Sequence, residues 1–64
     1  MADSATPDLV SASEARRILN ISEPTEYRWR RRFADFPRAV VIGTRRYYVK
    51  SELLAWIESR REAA

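Results

Sequence analysis

Neither cysteine nor histidine occurs anywhere in the 64 residues, so no disulfide, thiolate cluster or imidazole-bound metal can brace the fold, and packing alone must hold it. A chain this short buries only about 60% of the surface its unfolded form exposes. That leaves room for one domain with a small core and puts function on the surface. With 45% hydrophobic and 33% charged residues, the chain is close to ordinary globular usage and is expected to fold. The missing histidine also removes the commonest general base, and Gly43 is the only glycine, too few for a phosphate-cradling loop. The chain is therefore expected not to be an enzyme, and to hold neither a metal nor a cofactor.

The net charge of +3 conceals an uneven distribution. Asp3, Asp8, Glu14, Glu23 and Glu26 outweigh Arg16 and Arg17 in the first part of the chain. Between positions 28 and 50, Arg28, Arg30, Arg31, Arg32, Arg38, Arg45, Arg46 and Lys50 face Asp35 alone. The remainder is again slightly acidic. Eleven of the twelve basic residues are arginine. The planar guanidinium fork suits phosphate oxygens and guanine edges, so this bias points to nucleic acid rather than to a solubilising surface.

Local signals divide the chain into short elements. Residues 1–8 carry Ser4, Thr6 and Pro7 with two acids and no periodicity, and read as a disordered tail. Ser11-Ala12-Ser13-Glu14 has the form of a capping box, with Ser11 covering an orphan amide and Glu14 reaching back. Ala12, Ala15, Ile18 and Leu19 then fall on one side of a first helix, and Asn20 is its expected left-handed stop. Ile21 is the expected buried elbow of a short turn. Ser22 caps a second helix with Pro24 in its first turn, where a missing amide does no harm. On that helix Trp29 and Phe33 form a narrow apolar pair, while Pro24, Tyr27, Arg28 and Arg31 point the other way.

Asp35-Phe36-Pro37 ends the second helix, since a residue before proline is driven toward extended backbone. Val40-Val41-Ile42 and Tyr47-Tyr48-Val49 read as the two strands of a hairpin joined by Gly43-Thr44-Arg45-Arg46, with arginines at its tip. Side chains alternate along a strand, so one of Tyr47 and Tyr48 faces the core and the other is free for a phosphate. Ser51 opens a third helix with Leu53, Trp56 and Ile57 inward and Leu54 at the edge. The expected architecture is mostly α with a small β-hairpin: a winged helix-turn-helix of three helices and a two-stranded wing over 9–60, with 61–64 frayed.

The succession Ser13-Glu14-Ala15, Ile21-Ser22, Thr25, Tyr27-Arg28-Trp29, Phe36-Pro37-Arg38, Ile42-Gly43, Arg45-Arg46-Tyr47 and Ser51-Glu52-Leu53 with Trp56 resembles the AlpA-like phage regulatory proteins and related excisionases. These share a MerR-like winged helix-turn-helix, and the likeness covers residues 9–58. It implies a second helix in the major groove and a wing on an adjacent minor groove or backbone. The implied job is either directing a recombinase toward excision, with DNA bent through arrays of bound copies, or regulating transcription of mobile-element genes. Glu26 and Arg30 stand where such proteins usually carry aliphatic residues. Four apart in the favourable order, they are expected to form a helical ion pair worth about 0.3–0.5 kcal/mol, with looser seating of the helix. The segment from Ile21 to Arg30 also resembles the first helix-turn-helix of some insertion-sequence transposase accessory proteins, but the hairpin and Trp56 fit the phage regulators better.

Each candidate contact has a plainer alternative. The arginines from 28 to 32 would serve as a solvated helical face, except that four of them in five positions with no interleaved acid repel one another unless an anion intervenes. Arg28 and Arg31 are the candidates for guanine edges, Arg32 and Arg30 for phosphates, and Thr25 and Tyr27 for phosphate or thymine-methyl contacts. Tyr27 has packing against the wing as its alternative. Thr44, Arg45 and Arg46 form the candidate wing contact with a narrow minor groove, against edge-strand protection as the plainer role. Arg38 and Lys50 are phosphate candidates. Trp29, Phe33, Phe36 and Trp56 are read as core.

The expected partner is double-stranded DNA, together with a site-specific recombinase (integrase) or RNA polymerase and side-by-side copies of the chain on DNA. No small-molecule substrate and no membrane are expected, because no run of about 18 apolar residues exists. The polar, acidic start is unlike a secretory signal, and the expected location is the bacterial cytoplasm in association with the nucleoid. A protein-interaction module that recruits or inhibits a partner without reading DNA is the alternative function, and it predicts an exposed apolar patch.

Overall fold

A computed structural model of the chain describes residues 8–62; the expected tail over residues 1–7 and the last two residues of the expected frayed end lie outside that range. Six elements follow in order: β1 (Leu9–Ser11), α1 (Ala12–Leu19), α2 (Glu23–Arg32), β2 (Val40–Ile42), β3 (Arg45–Val49) and α3 (Lys50–Ser59). The three helices and the hairpin are those the sequence signals, arranged as a winged helix-turn-helix.

The sheet has three strands, however, rather than the expected two. β3 lies in the middle, antiparallel to both neighbours, with Val10 opposite Tyr48 and Val41 opposite Arg46. Leu9 and Val10, expected only as a lead into the first helix, form the third strand. Their ladder continues beyond β1, where the Lys50 amide donates to the Asp8 carbonyl at 2.7 Å. Asp8, placed in the tail by sequence, is thus tied to the start of α3.

Helix boundaries follow cap chemistry. Ser11 Oγ accepts from the Glu14 amide at 3.1 Å, but Glu14 does not reach back as a capping box requires; its carboxylate is held by Arg17 at 2.9 Å. Asn20 adopts φ 59, and with it the Asn20 and Ile21 amides donate to the Arg17 and Arg16 carbonyls, closing α1 in a left-handed stop. Ile21 in the turn is half-buried rather than fully enclosed. Ser22 caps α2 by accepting from the Thr25 amide at 3.4 Å. α2 ends at Arg32, earlier than expected, because Phe33 takes extended backbone with φ −102 and ψ 113. Ser51 does not open α3. That helix begins one residue sooner, directly from the strand, with Val49 at the cap and no side-chain cap bond.

The core is built on Ala15, Phe36, Tyr48, Leu53 and Trp56. Trp29 and Phe33 join it through an aromatic cluster, with ring centroids 5.8 Å apart for Trp29 and Trp56 and 4.9 Å for Phe36 and Trp56. Such offset and edge-on pairs add about 0.5–1.5 kcal/mol each beyond area burial. They hold the end of α2 against α3. Its beginning is held differently.

Glu26, expected in a helical ion pair with Arg30, is 4% exposed. It accepts from Arg16 Nη1 at 2.7 Å and from the Tyr48 hydroxyl at 2.6 Å, whereas Arg30 Nε stands 3.9 Å away. The carboxylate therefore joins α2 to α1 and to the central strand. Burial, and then the bond to Glu26, push the Tyr48 phenol well above its ordinary value.

Two outcomes follow. Glu26→Ala strands the buried Tyr48 hydroxyl and should destabilise by about 3–5 kcal/mol, as much as a core of this size supplies, so thermal melts should show a largely unfolded chain. The double variant Glu26→Leu/Tyr48→Phe, which removes both buried polar partners, should regain most of the loss. A double variant as unstable as Glu26→Ala contradicts the network. A phenol whose folded pKa is raised stabilises the fold fully below its unfolded value and loses that contribution as pH rises through the folded value. Ultraviolet titration should accordingly show one tyrosine ionising only with alkaline unfolding, above the ordinary value of 10.0, and Tyr48→Phe should lack that step. Three phenols titrating together would contradict it.

Candidate nucleic-acid interface

The outer face of α2 follows from helical spacing. Pro24, Tyr27, Arg28 and Arg31 are all exposed, opposite the stripe on which Glu26, Trp29 and Phe33 turn inward. Acidic Glu23 and Glu26 in the first turn and Arg30, Arg31 and Arg32 in the last match the helix dipole.

Two local pairs order the guanidinium groups on that face. Arg28 Nη2 donates to Thr25 Oγ1 at 3.2 Å, and Thr25 in turn accepts from Ser22 Oγ at 3.1 Å. Arg31 Nη1 donates to the Tyr27 hydroxyl at 3.3 Å and lies over the Tyr27 ring at 5.5 Å from its centroid. Thr25 and Tyr27 thus restrain the two guanidinium groups, which limits the rotamer freedom each loses on meeting a partner. Tyr27 is 51% exposed, and Arg30 lies over its ring at 5.4 Å. Arg28, Arg31 and Arg32 line one surface recess with Tyr27.

The hairpin turns on two residues, Gly43 and Thr44, because Ile42 pairs directly with Arg45. Gly43 supplies the positive φ of 63 that the first turn position needs, the arrangement in which glycine leads a two-residue loop. Arg45 and Arg46 are consequently strand residues and not the tip, as the sequence reading had them. Alternation then sends them to opposite faces of β3. Arg46 lies on the same side as the buried Tyr48 and shares two clefts with Arg30. Arg45 takes the other side, with half-buried Tyr47.

The fold therefore brings Tyr27, Arg28, Arg31 and Arg32 together on α2, and Arg30, Arg38 and Arg46 together in a groove between α2 and the hairpin. Arg45 and Lys50 are in neither group, and Thr44 is the second residue of the turn. Arg30 is the least free of the candidates, since its stem is half-buried and its Nε, near Glu26, has no hydrogen-bond partner.

Ion pairing sorts the arginines in the same way. Arg16, Arg17, Arg60 and Arg61 are all paired with carboxylates. Between positions 28 and 50, only Arg30 has a carboxylate within reach among the described residues, and that at 3.9 Å. The unpaired charge is thus confined to α2, Arg38, the hairpin and Lys50. Apolar exposure is limited: Val41 and Ile42 lie in the hairpin beside arginines, and Leu54 is on α3.

Sequence reasoning missed the residues that seat this surface, namely Glu26, Arg16 and Tyr48. One signal was present: Glu26, Trp29 and Phe33 share a single helical stripe, so a carboxylate on the inner face of α2 needed a partner.

Residues 9–61 match the family model described as a helix-turn-helix domain. No curated protein and no solved structure matches the chain. No described helix is long and apolar enough to cross a membrane. The family match spans both helices of the motif, the hairpin and α3, so the chain belongs to the helix-turn-helix domain family and is a DNA-binding protein of that kind.

Proposed function

We propose that the chain is a sequence-specific duplex-DNA-binding regulator of a phage or mobile element, of the AlpA-like and excisionase type, and that it carries no catalytic step. The observation that supports this most is that, among the described residues, the guanidinium groups without a carboxylate partner fall on α2, at Arg38 and on the hairpin, while Arg16, Arg17, Arg60 and Arg61 are paired with carboxylates.

In this reading α2 enters the major groove with Arg28 and Arg31 directed at guanine edges. Bidentate arginine to guanine O6 and N7 is the commonest specific contact there. Arg32 and the hairpin arginines meet the flanking backbone. One module of this size touches about 4–7 phosphates, and log K then falls with log salt by about 0.9 per contact. Such limited contact makes side-by-side copies, or help from a recombinase or RNA polymerase, part of the proposal. An integrase that shifts from integration toward excision when the protein is added identifies the first role; a promoter that responds to the protein alone identifies the second. A module working only through proteins is less favoured, because the exposed Val41 and Ile42 are flanked by Arg45 and Arg46.

Selection of bound sites from random duplex DNA tests the assignment. Arg28→Ala and Arg31→Ala should each lose about 1–3 kcal/mol and relax the motif at one position. Arg17→Ala and Arg61→Ala should leave both motif and affinity unchanged. If neither α2 variant alters the selected motif, the base-reading role is wrong.

A further inference from the structure

The groove between the end of α2 and the hairpin joins three arginines that lie far apart in sequence: Arg30 from the helix, Arg38 from the connection and Arg46 from the central strand. Among the described residues no carboxylate lines it, whereas the neighbouring cleft that shares Arg30 and Arg46 contains Glu23 and Glu26. Its apolar wall includes the buried Phe36 and Pro37 and the exposed Val41. Three like charges lining one groove repel one another. The end of α2 is the negative pole of its dipole, so any attraction for an anion comes from the side chains alone.

We infer that Arg30, Arg38 and Arg46 together hold a single backbone phosphate, with the adjoining deoxyribose against Phe36, Pro37 and Val41. The inference rests on the duplex-binding reading and goes beyond it by dividing the wing: Arg46 serves this phosphate with the helix, and Arg45, on the other face of β3, serves a different one. Arg30 supports the choice of ligand. Its nearest anion, Glu26 Oε2, is already the acceptor for the Tyr48 hydroxyl at 2.6 Å, and its Nε has no partner. That nitrogen is buried toward Glu26, so what Arg30 offers the groove it lines is the outer amino groups of its guanidinium. A phosphate diester offers the oxygens and the negative charge that several guanidinium forks can share.

The test uses the intact protein and a duplex carrying its selected site, synthesised with one uncharged methylphosphonate at each backbone position in turn. Wild type should show one position where the substitution weakens binding on the order of tenfold or more, as expected for losing charged hydrogen bonds. Arg38→Ala and Arg46→Ala, both at exposed residues, should each shrink the penalty at that same position severalfold without abolishing it, the Arg38→Ala/Arg46→Ala pair should come close to abolishing it, and Arg30→Lys should shrink it less. Arg45→Ala should keep the full effect. If the three variants map to different phosphates, or if Arg45→Ala shares the position of Arg46→Ala, the clamp is wrong while duplex binding stands. If wild type ignores every duplex at low salt, the DNA reading itself fails and the clamp with it.

Discussion

A carboxylate removed from water holds this fold in register. Glu26 ties α2 to α1 through Arg16 and to the central strand through Tyr48, and α2 has little else to seat its first half, since its own apolar side chains are confined to one narrow stripe. Buried ion pairs are weak sources of stability compared with apolar packing, because desolvation offsets the Coulomb gain. What this one contributes is orientation. An apolar residue at the position would bury area without fixing the angle between helix and strand. A carboxylate with two directional partners does fix it, and with it the placement of the hairpin beside α2.

That placement decides which charges remain available. Arginines on α1 and at the end of α3 meet carboxylates within the chain, and Arg60 in addition stacks on Phe33 and Trp56 at 4.7 and 5.0 Å. Among the described residues, those on the outer face of α2 and on the hairpin do not. The molecule is therefore only modestly basic in total but strongly basic on the side that carries α2 and the groove, an asymmetry that steers a polyanion to that side. Within that side, Thr25 and Tyr27 order two guanidinium groups before any partner arrives. The same scaffold separates Arg45 from Arg46, so neighbouring residues of one hairpin answer to different parts of a duplex.

Much of this was legible in the residues. Ser11 and Ser22 act as caps, Asn20 as a left-handed stop, Tyr47 and Tyr48 split between the two faces of their strand, and Leu53 and Trp56 form the buried side of α3, because each of these depends on a few neighbouring side chains. The parts that were not legible depend on distant partners. β1 has three residues and no periodicity of its own, and exists only because β3 offers an open edge. Glu26 reads as half of a helical ion pair because Arg30 stands four residues on, and the two do lie 3.9 Å apart, but its hydrogen-bonding partners lie 10 and 22 residues away. The hairpin tip was read as four residues because arginines suit an exposed loop; a glycine at φ 63 instead closes the turn in two and commits both arginines to the strand.

Nuclear magnetic resonance titration of the labelled protein with its selected duplex tests the central claim most directly, since backbone amides report position by position where the partner sits. The account predicts shift changes concentrated on α2 from Thr25 to Arg32, on Arg38 and on the hairpin from Val41 to Arg46, with Arg17, Leu54, Glu58 and Arg61 undisturbed. Changes centred on α3, or spread evenly over the molecule, would contradict it.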